Sequence, residues 1–282
     1  MNNVKKNYGW ALPDTTQINN YLDDCINACD DDEIFKNFKK LEGYRIILEG
    51  GPKNLFDTFL DHIDNSSDPD LFFDNLEKFR INDSLGNPDI YEESRIGRFS
   101  GSTLKYAFNA IEIINFIKNY GNGIDKIKKI VEIGGGYGGL CLILSGFIEF
   151  DSYTLVDLPE VCKLIEKYLS KFPHLQGKIN TISCNNLNED TFDEIDFAIA
   201  ISSLGECNLD TQLKYFDTIV KKSSLSYIIR NPDTRERLDE HRETINFLDD
   251  TFLVDDTERI EPAYSSQIAI YIKKQNSNGK IL

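Results

Sequence analysis

The sequence is poor in positive charge. It contains 31 Lys and Arg residues against 47 Asp and Glu residues, so its formal net charge is −16. Nucleic-acid binding depends largely on the neutralisation of phosphates by basic side chains, and proteins that act on DNA or RNA usually present a basic face. The composition therefore argues against a nucleic-acid substrate or partner.

Long hydrophobic runs and paired metal ligands are also lacking. No apolar stretch approaches the ~20 residues that a helix needs to cross a bilayer, so we expect no membrane insertion. Cys25 and Cys29 are spaced as one half of a metal site, but no second ligand pair follows, and we expect no metal. The other cysteines are Cys141, Cys162, Cys184 and Cys207. We expect a cytoplasmic protein with reduced thiols.

Glycine, in contrast, is concentrated at one place. Residues 131–140 read Val-Glu-Ile-Gly-Gly-Gly-Tyr-Gly-Gly-Leu, and an apolar helix is predicted over 140–147. A strand, a tight glycine turn and a helix N-terminus let the backbone approach a cofactor closely. A second apolar strand, 153–157, ends in Asp157, which places a carboxylate where the ribose hydroxyls of a nucleoside ligand would lie.

Two signatures overlap in this glycine loop. Gly134, Gly136 and Gly139 match the G-x-G-x-x-G pattern of dinucleotide-binding proteins. Gly134, Gly136 and Gly138 match the E-x-G-x-G-x-G pattern of S-adenosylmethionine (SAM) methyltransferases. Glu132 favours the second pattern, because a carboxylate there suits a cationic sulfonium ligand and would repel a pyrophosphate. The loop also contains no Lys or Arg to pair with phosphate.

The order of predicted elements indicates an α/β fold. Short strands and helices alternate from about residue 126, which predicts a doubly wound, mostly parallel, seven-stranded Rossmann-like sheet. Runs at 251–254 and 267–272 predict a C-terminal antiparallel hairpin, as in methyltransferases. The strands of the parallel part are predicted at 129–133, 153–157, 179–183, 195–201 and 225–229.

Residues 1–100 are predicted to form a helical N-terminal region, followed by a catalytic domain over 101–282. Apolar residues at helical spacing, such as Phe35 and Phe38, support helices in the first part. This region is interpreted as a lid over the active site, a homodimerisation surface, or simply a solvated extension.

Several sequence blocks resemble the sugar O-methyltransferases, class I SAM-dependent enzymes of surface-polysaccharide biosynthesis. These blocks are Asn87-Pro88, 102–106, the glycine loop and Val156-Asp157-Leu158-Pro159-Glu160-Val161. The chain is similar to this family again at 203–206, although Gly205 replaces the family's usual serine before the glutamate. The resemblance implies SAM as cofactor and a small-molecule sugar acceptor, which in the cytoplasm would usually be carried on a nucleotide or phosphate.

Ligands of doubly wound sheets bind beyond the carboxyl ends of the strands, which selects the candidate cofactor residues. By the resemblance, Asp157 would hold the ribose hydroxyls and Leu158 would flank the adenine. The full set of cofactor-binding candidates is Glu132, Gly134, Gly136, Tyr137, Gly138, Asp157, Leu158, Asn186 and Ser202.

Methyl transfer to a hydroxyl needs a group that removes the proton as the new bond forms. Glu206, after the predicted fourth strand, is the first candidate, with capping of the following helix as the alternative. His241 is the second candidate, although a lone histidine on a charged helix is more often a solvated surface group.

The acceptor candidates are basic or follow the fifth strand. Arg95, Arg98 and Lys105 are interpreted either as an anion site for a phosphate or as partners of nearby carboxylates. Arg230 and Asn231 directly follow the predicted fifth strand.

The sequence thus favours a SAM-dependent O-methyltransferase that acts on a sugar hydroxyl. Methylation of a phosphate-borne oxygen or another small molecule is the first alternative. A nicotinamide-dependent (NAD) oxidoreductase and a non-catalytic SAM-binding partner protein are the others.

Overall fold

The computed structural model describes residues 15–49, 53–121, 123–230, 235–248, 252–259 and 267–274. The helices are α1 Thr15–Asp30, α2 Asp32–Phe35, α3 Glu42–Tyr44, α4 Lys53–Asp64, α5 Asp70–Phe73, α6 Leu76–Arg80, α7 Gly101–Tyr120, α8 Gly139–Leu144, α9 Pro159–Leu169, α10 Leu209–Thr218 and α11 Arg235–Asn246. The strands are β1 Ile90–Glu93, β2 Gly97–Ser100, β3 Lys129–Ile133, β4 Ser152–Asp157, β5 Ile179–Ser183, β6 Ile195–Ile201, β7 Ser223–Arg230, β8 Phe252–Arg259 and β9 Gln267–Lys274.

The central sheet has the strand order β5-β4-β3-β6-β7-β9-β8. Strands β3 to β7 pair in parallel, which confirms the predicted five-stranded parallel sheet. Strand β9 pairs antiparallel with both β7 and β8. The strand order reverses at β3: the strand that follows it in the chain, β4, pairs with one edge of β3, and β6 pairs with the other edge. Such a switch point opens a crevice at the carboxyl edge of the sheet.

The composition of the strands explains their position in the middle of the molecule. Parallel strands covered by helices on both faces are almost continuously apolar. In β3 the residues from Ile130 to Ile133 are all buried, and β6 is buried along most of its length. Helix α9 begins with Pro159, whose missing N–H costs nothing in the first turn of a helix.

The N-terminal region shares its core with the sheet. Its apolar side chains, including Phe38 and Tyr44, belong to the same buried cluster as residues of β3, β4 and β6. Helix α1 packs against α9, and α4 packs against α7. Beside its helices, this region also contains a small antiparallel hairpin, β1–β2.

Among the described residues, no helix is long and apolar enough to cross a membrane.

Candidate functional site

A cavity of about 280 Å³ lies at the carboxyl edge of the sheet, where the strand order reverses. Most of its wall comes from the glycine loop after β3, the tip of β4, the segment after β6, and residues 46–48 of the N-terminal region. The lining residues are Tyr21, Ile46, Ile47, Leu48, Lys105, Ile133, Gly134, Gly136, Val156, Asp157, Leu158, Cys184, Ile201, Ser202, Ser203, Glu206, Cys207 and Tyr215.

The glycine loop needs glycine at two of its predicted positions. Gly134 has φ +74°, and a Cβ added there would lie 2.3 Å from Cβ of Ser203. Gly136 has φ +58°, and its added Cβ would lie 3.1 Å from Cδ1 of Leu48. A side chain would therefore be strained at both positions. At Gly134 it would push the segment after β6 away, and at Gly136 it would occupy the cavity side of the loop.

Asp157 ends β4 and holds the glycine loop. Its Oδ2 accepts the backbone N–H of Gly136 at 3.1 Å, and its Oδ1 accepts that of Leu158 at 2.7 Å. Burial raises the pKa of the Asp157 carboxyl to about 7, with a smaller contribution from Glu206, while the two amides act to lower it. The half-buried carboxylate borders the cavity, where it has lone pairs left to accept hydroxyl hydrogens.

Glu132 lies under the loop instead of in the cavity lining. It is 3% exposed, and its Oε2 accepts the hydroxyl hydrogen of Tyr153 at 2.7 Å. Burial raises the pKa of its carboxyl to about 7, and Tyr153 partly offsets this shift. The carboxylate also lies close to the position of a Cβ on Gly135. In this structure Glu132 supports the loop from below.

The other cofactor candidates divide into two groups. Leu158 and Ser202 line the cavity. Tyr137 is fully buried beneath the loop, where its hydroxyl accepts an N–H of Asn82 at 2.8 Å. Gly138 caps the N-terminus of α8. Asn186 is exposed and does not line the cavity, whereas Cys184, two residues earlier, does.

The segment after β6 carries Glu206 to the cavity wall. Ser202 adopts φ +57°, which is unusual for a residue other than glycine, and it redirects the chain at the strand end. The hydroxyl of Ser203 donates to the carbonyl of Ile133 at 2.6 Å, tying this segment to β3. The cap of α10 is Asn208, whose Oδ1 accepts the N–H of Thr211 at 3.0 Å. The helix-capping role considered for Glu206 thus belongs to Asn208.

The three basic acceptor candidates are not gathered around this cavity. Lys105 lines it. Arg95 forms ion pairs with Asp64 at 3.0 Å and with Glu93 at 3.3 Å, both on the surface. Arg98 is exposed on β2 and borders a different, open cavity.

The candidate at the end of β7, Arg230, does not line the cavity. Arg230 is 2% exposed and its guanidinium bonds to Thr244 and Gln212, away from the cavity lining. Asn231 and the side chain of His241 lie outside the described residues. Among the residues that the structure does describe, no cluster of three or more His, Cys, Asp or Glu side chains is arranged to hold a metal ion.

Sequence reasoning considered the N-terminal region as a lid but did not identify which of its residues reach the cavity wall. Tyr21 from α1 and the π-helical turn Arg45–Glu49 supply part of the lining. Burial raises the pKa of the Tyr21 phenol, and the neighbouring Cys25 and Asp157 raise it further. The apolar run Ile46-Ile47-Leu48, in an otherwise polar stretch, was the available signal for this role.

The chain is similar to a number of solved structures. No protein-family model matches the chain, and no curated protein matches it. Similar solved structures include magnesium protoporphyrin IX methyltransferase from Synechocystis PCC 6803 with bound SAM (10% identity, 73% of this chain, 94% of that chain, TM-score 0.47). A second is a SAM-dependent methyltransferase from Clostridium acetobutylicum ATCC 824 (12% identity, 59% of this chain, 91% of that chain, TM-score 0.46). A third is an rRNA methylase from Streptococcus thermophilus (15% identity, 58% of this chain, 95% of that chain, TM-score 0.45).

The chain has a Rossmann-like fold of the methyltransferase type. This type of fold follows from the chain's own strand order and from the antiparallel pairing of β9 with β7.

Proposed function

We propose that this protein is a SAM-dependent methyltransferase. The observation that carries the proposal is the position of the Asp157 carboxylate. It lies at the tip of β4, bonds to the glycine loop through Gly136, and borders the cavity at the switch point of the sheet. A carboxylate at this place in a doubly wound sheet is suited to bind the two ribose hydroxyls of a nucleoside.

The remaining lining residues fit the other parts of SAM. Apolar side chains, among them Leu158, Val156 and Ile201, provide a surface for the flat adenine ring. Glu206 also borders the cavity, and a carboxylate there attracts a sulfonium cation but repels a pyrophosphate. This charge favours SAM over a nicotinamide dinucleotide.

The reaction requires one proton acceptor from the protein. SAM supplies a methyl group activated by its positively charged sulfur. Glu206 would take the hydroxyl proton as the acceptor oxygen bonds to that methyl group, which leaves the sulfur. Glu206 is suited to this role because it lies on the cavity wall and does not cap α10.

We propose a sugar hydroxyl as the acceptor group, on a cytoplasmic nucleotide- or phosphate-linked sugar used in polysaccharide biosynthesis. The resemblance of the glycine loop and of residues 156–161 to sugar O-methyltransferases supports this choice. The net charge of −16 supports a small molecule over a nucleic acid. Lys105, on the cavity wall, is the cation suited to meet a phosphate of the acceptor.

Isothermal calorimetry tests the cofactor, with S-adenosylhomocysteine (SAH) and NAD as the two ligands. We expect SAH to bind and NAD not to bind; the reverse result would replace the methyltransferase with an oxidoreductase. A methyl-transfer screen over nucleotide sugars, sugar phosphates and free sugars then tests the acceptor. Binding of SAH without transfer to any sugar would remove the sugar proposal and leave the cofactor assignment standing.

A further inference from the structure

A buried polar network lies behind the wall that carries Glu206. Arg230, at the end of β7, is 2% exposed, and Gln212, in α10, is fully buried. One guanidinium nitrogen of Arg230 donates to Oγ1 of Thr244 at 2.7 Å, and another donates to Oε1 of Gln212. Buried polar groups of this kind are costly unless each finds a partner, so the arrangement is specified closely.

The amide of Gln212 connects this network to the segment after β6. Its Nε2 donates to the backbone carbonyl of Cys207 at 2.7 Å and to Oε2 of Glu240 at 3.0 Å. Cys207 directly follows Glu206 and ends the single helical turn Leu204–Glu206. The network therefore reaches the backbone one residue from the proposed proton acceptor.

The charges on either side of Gln212 determine how its amide points. The cation of Arg230 faces the amide oxygen, while the carboxylate of Glu240 and a carbonyl oxygen face the amide nitrogen. A reversed amide would set N–H groups against the guanidinium and an oxygen against two other oxygens. Arg230 thus keeps the Gln212 donor aimed at the Cys207 carbonyl.

We infer that Gln212 and Arg230 are positioning residues for Glu206, an inference that rests on the function proposed above. They act by holding the turn 204–207 in the position that puts the Glu206 carboxylate on the cavity wall. A proton acceptor must be held within hydrogen-bond reach of the hydroxyl, and small displacements reduce turnover strongly. Arg230 accordingly acts through Gln212, on the far side of the wall from the acceptor.

Gln212→Glu is the informative substitution. It keeps the size and an oxygen for Arg230 but removes both N–H donors and places an oxygen against Cys207 and Glu240. Thr218→Val is the matched control. It removes a buried hydroxyl from the same helix, but this hydroxyl donates its hydrogen bond to the carbonyl of Lys214, within the helix. Gln212→Met replaces Gln212→Glu if the latter does not fold.

Hydrogen–deuterium exchange tests the placement of the turn without any acceptor. We expect exchange at the amides of residues 206 and 207 to rise about five- to tenfold in Gln212→Glu, the effect of one lost hydrogen bond, and to stay unchanged in Thr218→Val. Unchanged exchange in Gln212→Glu would overturn the inference. This measurement stands even if wild-type protein shows neither SAH binding nor methyl transfer, a result that would refute the proposed function alone.

A double-mutant cycle tests whether the effect on turnover passes through Glu206. Gln212→Glu should lower kcat about tenfold, with the KM for SAM unchanged, when Glu206 is present. In Glu206→Gln it should change kcat by no more than about twofold. An equal loss in both backgrounds would mean a general structural role and would overturn the assignment.

Discussion

The carboxylate of Asp157 and the backbone amide of Gly136 are joined by a hydrogen bond of 3.1 Å. One residue ends β4 and the other lies in the loop after β3, so this contact links the two neighbouring strand ends that border the cavity. The same carboxylate is the group proposed to meet the ribose hydroxyls. Its removal should therefore affect both the loop and the ligand.

Asp157→Ala should weaken SAH binding by about 1.5–3 kcal/mol, the range for hydrogen bonds to a charged group. Calorimetry on purified protein gives the value. Asp151→Ala is a suitable control, since that aspartate is exposed just before β4 and outside the cavity lining. Normal SAH binding by Asp157→Ala would contradict the assignment of the ribose site.

The pH dependence of SAH binding should follow the ionisation of Asp157. Because the pKa of its carboxyl is raised to about 7, a growing fraction is protonated as the pH falls below 7, and affinity should drop by up to about tenfold per pH unit. Asp157→Asn should bind weakly with a flat profile, whereas Glu132→Gln should keep the slope. Calorimetry between pH 5 and 8 shows the profile, and an equal slope in Asp157→Asn would exclude Asp157 as its source.

The raised pKa of Asp157 affects the stability of the ligand-free protein in the opposite direction: a rise in pH strengthens SAH binding but lowers the free energy of unfolding. Between about pH 4 and 7 the folded protein keeps a proton on Asp157 that the unfolded chain, with its ordinary pKa of 3.8, has released. The contribution of Asp157 to the free energy of unfolding therefore falls as the pH rises through this window. Denaturant titrations of wild type and Asp157→Asn should show a stability difference that changes in this direction; a constant difference would contradict it.

Gly136→Ala should impair SAH binding, because the substitution adds a Cβ 3.1 Å from Leu48 at a backbone φ of +58°. Gly101→Ala is the matched control, since a Cβ at that position of α7 meets nothing within 4 Å. Calorimetry and thermal unfolding of both variants separate ligand binding from stability. Equal SAH affinity in the two variants would show that the loop does not need glycine at position 136.

Leu48→Ala tests the contribution of the N-terminal region to the cofactor site. The loss of apolar wall should weaken SAH binding by about 1 kcal/mol, roughly fivefold. Leu253→Ala, at an exposed position of β8, should leave the affinity unchanged. If both variants bind SAH as wild type does, the residues 46–48 border the cavity without contacting the cofactor.

Glu206→Gln should lower kcat by about 10²–10⁴-fold, the usual scale of general-base catalysis, with little change in SAH affinity. Asp210→Asn changes an exposed carboxylate in the first turn of the neighbouring helix and should be close to wild type. Initial-rate measurements with an accepted sugar give the kcat of both variants for comparison with that of the wild type. Full turnover by Glu206→Gln would assign the proton to another acceptor.

The parallel sheet and the glycine loop were predictable because their signals are local. A run such as 129–133 is apolar and short, and it leads directly into a glycine turn and a helix, so neighbouring residues determine the element. The strand-end rule then places Asp157 and Glu206 at one edge of the sheet without knowledge of side-chain contacts. Both residues border the cavity in the structure.

Contacts between distant segments were not predictable in the same way. The sequence puts Arg95, Arg98 and Lys105 close together, but a hairpin and the start of a helix separate them, and only Lys105 reaches the cavity. Arg230 follows a strand as expected for a site residue, yet its guanidinium turns toward Gln212 and Thr244.

The sequence by itself determined the order of the strands along the chain, the turn after β3 and the carboxylate after β4, since each depends on residues within a few positions. Only the tertiary structure decided which residues of the N-terminal region, Tyr21 and Leu48 among them, close the cavity. It likewise decided that Asn208 caps α10, leaving Glu206 on the wall. The physical reason is that packing and hydrogen bonding join residues far apart in the chain, and their energies depend on distances that local sequence patterns do not contain.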